Sequence, residues 1–197
     1  MKPWFIAALS LVCTWALGQV PAANLTQRLR GTVEWFDGTT LVVTERSGEV
    51  LHLVLAATLS VNEVLPIELS AIRPGNYIGT AAVPAAAGTL RALEVLVFPE
   101  AARGAGEGHS SWGLQPGSTM TIATVAGVAE GRWLTLRHKG GEKTLDVPVG
   151  TPVVTFQPAD RSLLVAGAKV FVTAQLRDGT PTALRVLAGR NGFAPPL

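Results

Sequence analysis

Residues 30–43 read RGTVEWFDGTTLVV and residues 123–136 read ATVAGVAEGRWLTL, so that Asp37-Gly38 meets Glu130-Gly131 and Leu41 meets Leu134, 93 positions on. The same offset lays SGEVLHLVLAAT from Ser47 over GGEKTLDVPVGT from Gly140, and GTLRALEVLVF from Gly88 meets GTPTALRVLAG from Gly179 at an offset of 91. A chain that repeats itself at such a period builds one structural plan twice. That constrains the fold more than any other feature of the sequence.

The repeated plan is strand and turn. Apolar and polar residues alternate in short runs, and helical periodicity never persists for three turns. In the first copy the pattern predicts strands at Leu29 to Phe36, Thr39 to Arg46, Glu49 to Leu55, Asn76 to Val83 and Thr89 to Phe98. Asp37-Gly38 and Ser47-Gly48 supply the tight turns between the first three. The longer connection from Ala56 to Gly75 has room for one short helix at Val61 to Leu65, stopped by Pro66.

Five short strands with an irregular stretch after the third is the order of an OB-fold, a small Greek-key barrel. An immunoglobulin-type sandwich is the rival, but it needs about 100 residues and each copy has about 70. The expectation is therefore an all-β chain of two tandem OB-like five-stranded barrels, at 28–98 and 120–188. A Gly/Ala/Ser-rich linker at 99–119 joins them, and a loose tail follows at 189–197.

The first residues carry Lys2, an apolar run from Trp4 to Leu17, and a small-x-small step at Ala16-Leu17-Gly18. That is the pattern of a secretory signal peptide over 1–18, with cleavage as late as residue 23, and it is too short for a spanning helix. Cys13 is the one cysteine and falls inside this leader, and Ser10 and Val12 depart from a lipidation motif. A mature chain without thiols has no disulfide framework and suits an oxidising compartment, so a periplasmic or secreted location is expected.

The motif G-x-V-x-x-x-D-G-x-x-L-x-V, here GTVEWFDGTTLVV, with the P-G-x-Y step RPGNY, resembles a bacterial family of exported domains of unknown function. The resemblance covers both copies. It implies small OB-like barrels and carries no activity, since its residues are turn glycines and strand positions.

Catalytic motifs are missing from the sequence. The three histidines, His52, His109 and His138, show no metal-ligand spacing, so neither a metal nor a cofactor is expected. Asp37, Glu130 and Asp178 stand at turns, and no G-x-S-x-G elbow is present. Two stretches stand out as binding candidates. One is GEGHSSWG in the linker, with His109 and Trp112; either it is a strap that pins the barrels, or it lines a cleft between them. The other is the hairpin RWLTLRHKGGEK, with Arg132, Arg137, His138, Lys139 and Lys143.

Charge divides unevenly. Residues 19–119 hold six Arg or Lys against nine Asp or Glu, whereas residues 120–197 hold nine against five. The basic hairpin thus offers an anionic partner a surface, or merely keeps an exposed edge soluble. Few aromatics are placed to stack bases, and export also argues against nucleic acid. The function expected is an exported, non-enzymatic binding or accessory module whose partner is another exported protein or an oligosaccharide. Its contact surface is the interbarrel groove or the basic hairpin. The alternative is a metal-binding or hydrolytic enzyme centred on His109.

Overall fold

The computed structural model describes residues 26–196, and the predicted signal peptide lies outside them. Twelve strands run through the described residues: β1 (Thr26–Phe36), β2 (Thr40–Glu45), β3 (Val50–Pro66), β4 (Tyr77–Pro84), β5 (Leu90–Val97), β6 (Gly108–Ser111), β7 (Thr119–Ala129), β8 (Trp133–His138), β9 (Gly141–Asp146), β10 (Val153–Ala159), β11 (Lys169–Arg177) and β12 (Thr180–Ala188). The fold is all-β, as the alternation predicts. No helix among the described residues is long and apolar enough to cross a membrane.

Turn chemistry sets the hairpins. Asp37 accepts the backbone N–H of Thr39 and of Thr40, each at 2.8 Å, which closes the β1–β2 turn, and Gly38 takes φ +100° there. In the second copy the β7–β8 turn is closed by backbone instead, Arg132 N–H donating to the Ala129 carbonyl at 3.1 Å with Glu130 (φ 50°) and Gly131 (φ 68°) both left-handed. The next hairpin differs: Leu41 faces Leu53 in one copy and Leu134 faces Leu145 in the other. The second turn is therefore one residue shorter, and the aligned Glu49 and Glu142 are out of structural phase.

Strand pairing corrects the tandem arrangement. β1 pairs with β2, β2 with β3, β3 in parallel with β12, β12 with β11, and β11 returns to β1, closing a five-stranded barrel. A second ring runs β7–β8–β9–β5–β4 and returns to β7; its β9–β5 contact is parallel and spans just Leu90↔Leu145 and Arg91↔Asp146. Each ring takes its first three strands from one copy and its last two from the other. Neither 28–98 nor 120–188 closes on itself.

The cause is β3. At 17 residues it runs on beyond its pairing with β2, stays on β12 as far as Glu63, and delivers β4 and β5 to the other side. It slips register between Leu55 and Ser60 opposite β12, where it bends. Its second half pairs with β10 from Val61↔Ala159 to Pro66↔Val154. The predicted helix at Val61 to Leu65 is therefore strand: β-branched Val61 and Val64 fit a pleated surface, and two neighbouring strands bind the backbone. Positions 60–66 and 153–159 are equivalent in the repeat. Their antiparallel ladder therefore lies on a pseudo-two-fold relating the two rings.

Each ring has its own apolar interior. Val33, Leu41, Val43, Leu53, Val172 and Val186 fill the first; Ile78, Val95, Val125, Leu134, Leu136 and Leu145 fill the second. A third cluster lies between the rings, built from Val64, Leu96, Val154, Phe156, Phe171 and Leu187 with Phe98 and Phe193 against it. These are residues from outward faces of the strands, so the rings are joined by a core of their own.

The expected flexible linker and loose tail are both ordered. Gly108–Ser111 forms β6 on the edge of β7, and the following turn is closed by Trp112 N–H to Ser118 O at 2.8 Å and by Ser118 Oγ to the Trp112 and Gln115 carbonyls. Earlier in the segment, the Tyr77 hydroxyl donates to Ala105 O and Arg103 to Gly75 O. In the tail, Phe193 packs between the rings, and Arg190 Nε meets Glu63 Oε1 at 2.7 Å.

Candidate functional site: the groove between the rings

Exchange of strands leaves a groove of about 580 Å³ where the outer face of β1–β11–β12 meets the outer face of β4–β5–β7. Its floor is apolar: Leu96 and Phe98 at the end of β5, Met120 and Ile122 on β7, Phe171 on β11 and Leu187 on β12. The strap from Ala105 to Trp112 forms one wall, and Arg28, Thr173 and Arg185 form the other. Gly79 belongs to the floor because a Cβ there would come 3.1 Å from the Phe98 ring, so this glycine keeps β4 flush beneath it. A concave, mostly apolar space with a few polar groups on its rim is the usual form of a small-molecule site.

On the strap, His109 and Ser110 line the groove and Trp112 closes one end. The Trp112 ring carries the Arg28 guanidinium 4.5 Å from its centroid. His109 Nδ1 lies 2.8 Å from Thr121 Oγ1, and its ring stacks on His138 with centroids 6.1 Å apart and planes 24° from parallel. Burial, then Lys143 and His138 nearby, push the His109 pKa below its ordinary value, so the imidazole is neutral at pH 7. His138 accepts from Gly140 N–H at Nδ1, at 3.0 Å, which fixes its proton on Nε2; that buried Nε2 has no hydrogen-bond partner among the described residues.

Sequence spacing gave no reason to bring the histidines together, yet β6 lies on β7 while β8 continues along the same edge, and so two of the three meet. His52 stands apart on the outside of β3, edge-on to the half-exposed Trp35 at 6.3 Å. The His109–Thr121 contact has the look of a base and a hydroxyl. Thr121 is fully buried, however, so its oxygen does not reach a molecule in the groove. No cluster of three or more His, Cys, Asp or Glu with metal-binding geometry exists among the described residues.

The basic hairpin proves to be partly self-neutralised. Arg132 donates to Asp146 Oδ1, its Nε at 3.0 Å, and Arg137 meets Glu142 at 2.9 Å across the hairpin. Lys139 and Lys143 remain, and Lys143 lies near enough to His109 for its charge to lower the imidazole's pKa. The hairpin and the linker, two separate surfaces in the sequence, thus join through His138 and His109.

Residues that the sequence reading missed are Arg28, Thr173 and Arg185 on the groove wall, and the buried Glu94 and Glu63. Glu94 is 4% exposed and lies near Arg30 and Arg46; burial pushes its carboxyl up to about 7 against the opposing pull of those two cations. The stretch LRALEVLV held a signal, a lone acid inside an apolar strand, which marks an acid carried indoors. Comparison with protein-family models, curated proteins and solved structures returns no match.

Proposed function

We propose that this chain is an exported, non-enzymatic binding module that holds a small molecule with an apolar body in the groove between its rings. The observation that carries this reading is the groove's construction: an apolar floor contributed by both copies, roofed on one side by a strap that the repeat does not duplicate. The strap serves both functions considered for it, since Trp112 pins the rings and its neighbours line the cleft. The self-neutralised hairpin favours the groove over the hairpin as the contact surface.

On this reading both rings are OB-type barrels with their fourth and fifth strands exchanged. Their order, first-second-third-fifth-fourth with a parallel third–fifth contact, supports that assignment. The leader and the thiol-free remainder of the sequence support export.

The test uses N-phenyl-1-naphthylamine, a neutral dye that brightens in apolar surroundings. Saturable binding near one dye per chain is expected, and Ser110→Trp, which fills the groove from its exposed strap position, abolishes it. Failure of the wild-type chain to bind the dye, or binding untouched by Ser110→Trp, overturns the proposal.

A further inference from the structure

One wall of the groove is charged in a way that its floor is not. Arg28 on β1 sits directly opposite Thr173 on β11, and Thr173 sits directly opposite Arg185 on β12. Directly opposed residues on antiparallel strands lie about 5 Å apart, so a hydroxyl stands midway between two arginines whose backbones are roughly 10 Å apart. All three side chains line the groove, and both arginines are exposed. Among the described residues neither of these two arginines forms an ion pair, whereas Arg103, Arg132, Arg137 and Arg190 each do.

Two like charges this close repel, and nothing in the wall offsets them. Their guanidinium planes are nonetheless held rather than free in solvent. Arg28 lies over the Trp112 ring at 4.5 Å and Arg185 over the Phe156 ring at 5.6 Å. Stacking on aromatic faces leaves the N–H edges available and lowers the entropy lost when they engage a planar acid. The next row along the same strands, Arg30–Phe171–Leu187, leads into the apolar floor. Glu107 is the one carboxylate of the lining and belongs to the strap, near Tyr77, whose phenol is pushed up by burial and then by Glu107. It places negative potential on the side away from the arginines, which disfavours a second acid on the ligand.

We propose that the groove's ligand is an amphiphilic organic acid: a single carboxylate-type head held by Arg28, Thr173 and Arg185, with an aromatic or acyl body lying over Phe171, Phe98 and Ile122. This rests on the groove reading given above. Salt sensitivity follows, because the head is bound at an exposed rim, whereas the body's contribution is apolar and insensitive to ionic strength.

The experiment compares 8-anilinonaphthalene-1-sulfonate with N-phenyl-1-naphthylamine, which share an aromatic body and differ by the acid. Fluorescence titration of the wild-type chain is expected to show the sulfonate binding at least about tenfold more tightly, the scale of one or two charge-assisted hydrogen bonds. Arg28→Gln with Arg185→Gln brings the two dyes to equal affinity, and the Lys variants at both positions keep most of the preference. Ser110→Trp displaces both dyes, and decanoate competes where decanol competes less. Equal affinity of the two dyes in the wild type overturns the acid-head assignment and leaves the groove standing. Tight sulfonate binding that survives Ser110→Trp overturns it as well, since the dye then sits on another basic surface.

Discussion

Glu94 makes the join between the rings sensitive to pH in a direction that can be worked out. Its side chain is 4% exposed, and its carboxyl is pushed up to about 7, chiefly by burial, with Arg30 and Arg46 pulling the other way. In the unfolded chain the same carboxyl titrates at its ordinary 4.5. The folded state therefore holds its proton more tightly. The stabilising contribution is fully present below about pH 4.5 and is lost as pH rises through 7. Linkage across those two values gives a loss of about 2–3 kcal/mol between pH 5 and pH 8.

Replacing Glu94 by Gln keeps the shape and removes the titration. Any difference in packing between the protonated carboxyl and the amide shifts stability by a constant at every pH, so the absolute level is not the observable. The difference between variant and wild type as a function of pH is. Thermal melts at half-unit steps should show the wild-type curve falling relative to Glu94→Gln by about 5–10 °C from pH 5 to pH 8, at roughly 2–4 °C per kcal/mol for a chain of this size. Histidines cancel in the difference. Parallel curves would refute the reasoning, because they would mean that Glu94 ionises as easily inside the fold as outside it.

Gly31→Ala should destabilise the first barrel by about 3 kcal/mol in urea unfolding, since its Cβ would collide with the Thr44 carbonyl oxygen and stand 2.5 Å from Val43 Cγ1. The clash is with backbone and a packed core residue, so neither can step aside cheaply. Arg190→Ala should cost about 1–3 kcal/mol in the same assay, because Glu63, 9% exposed, would keep Gln157 alone as a partner, at 3.3 Å. That loss from a residue in the presumed loose tail also tests whether the tail is part of the fold.

Much of the local structure was legible. Alternation placed four strands of the first copy within a few residues of their ends and the start of β3 within one, though it ended β3 eleven residues early, and Asp37-Gly38 announced its turn through chemistry that is visible in the side chains themselves. Strand exchange was not legible, for a physical reason. Leu41, Leu53, Val172 and Val186 point inward whichever copy supplies the fourth and fifth strands, so the alternating pattern is identical in exchanged and unexchanged rings. The length of β3 is the visible sign of the exchange in the first copy, and its second half reads as a stopped helix because Pro66 ends a helix as readily as a strand. The groove wall was hidden for a related reason. Arg28 and Arg185 lie 157 positions apart in the chain and meet through Thr173, a neighbour that only the register supplies. His109 and Trp112 were found because GEGHSSWG breaks the repeat, and a segment without a counterpart in its own repeat is a signal that needs no structure to see.

The groove exists because the two halves of the chain are interleaved, its floor and walls coming from both. A protease site inserted in the exposed Gly113–Gly117 turn separates β1–β6 from β7–β12 without touching a strand. The measurement is size-exclusion chromatography and a thermal melt of the cleaved protein under native conditions. Interleaved rings predict that the two fragments elute together at the size of the intact chain and melt in one transition, with neither fragment folding when expressed alone. Fragments that elute separately as folded monomers would mean that each half closes its own barrel, and the groove described here would not exist.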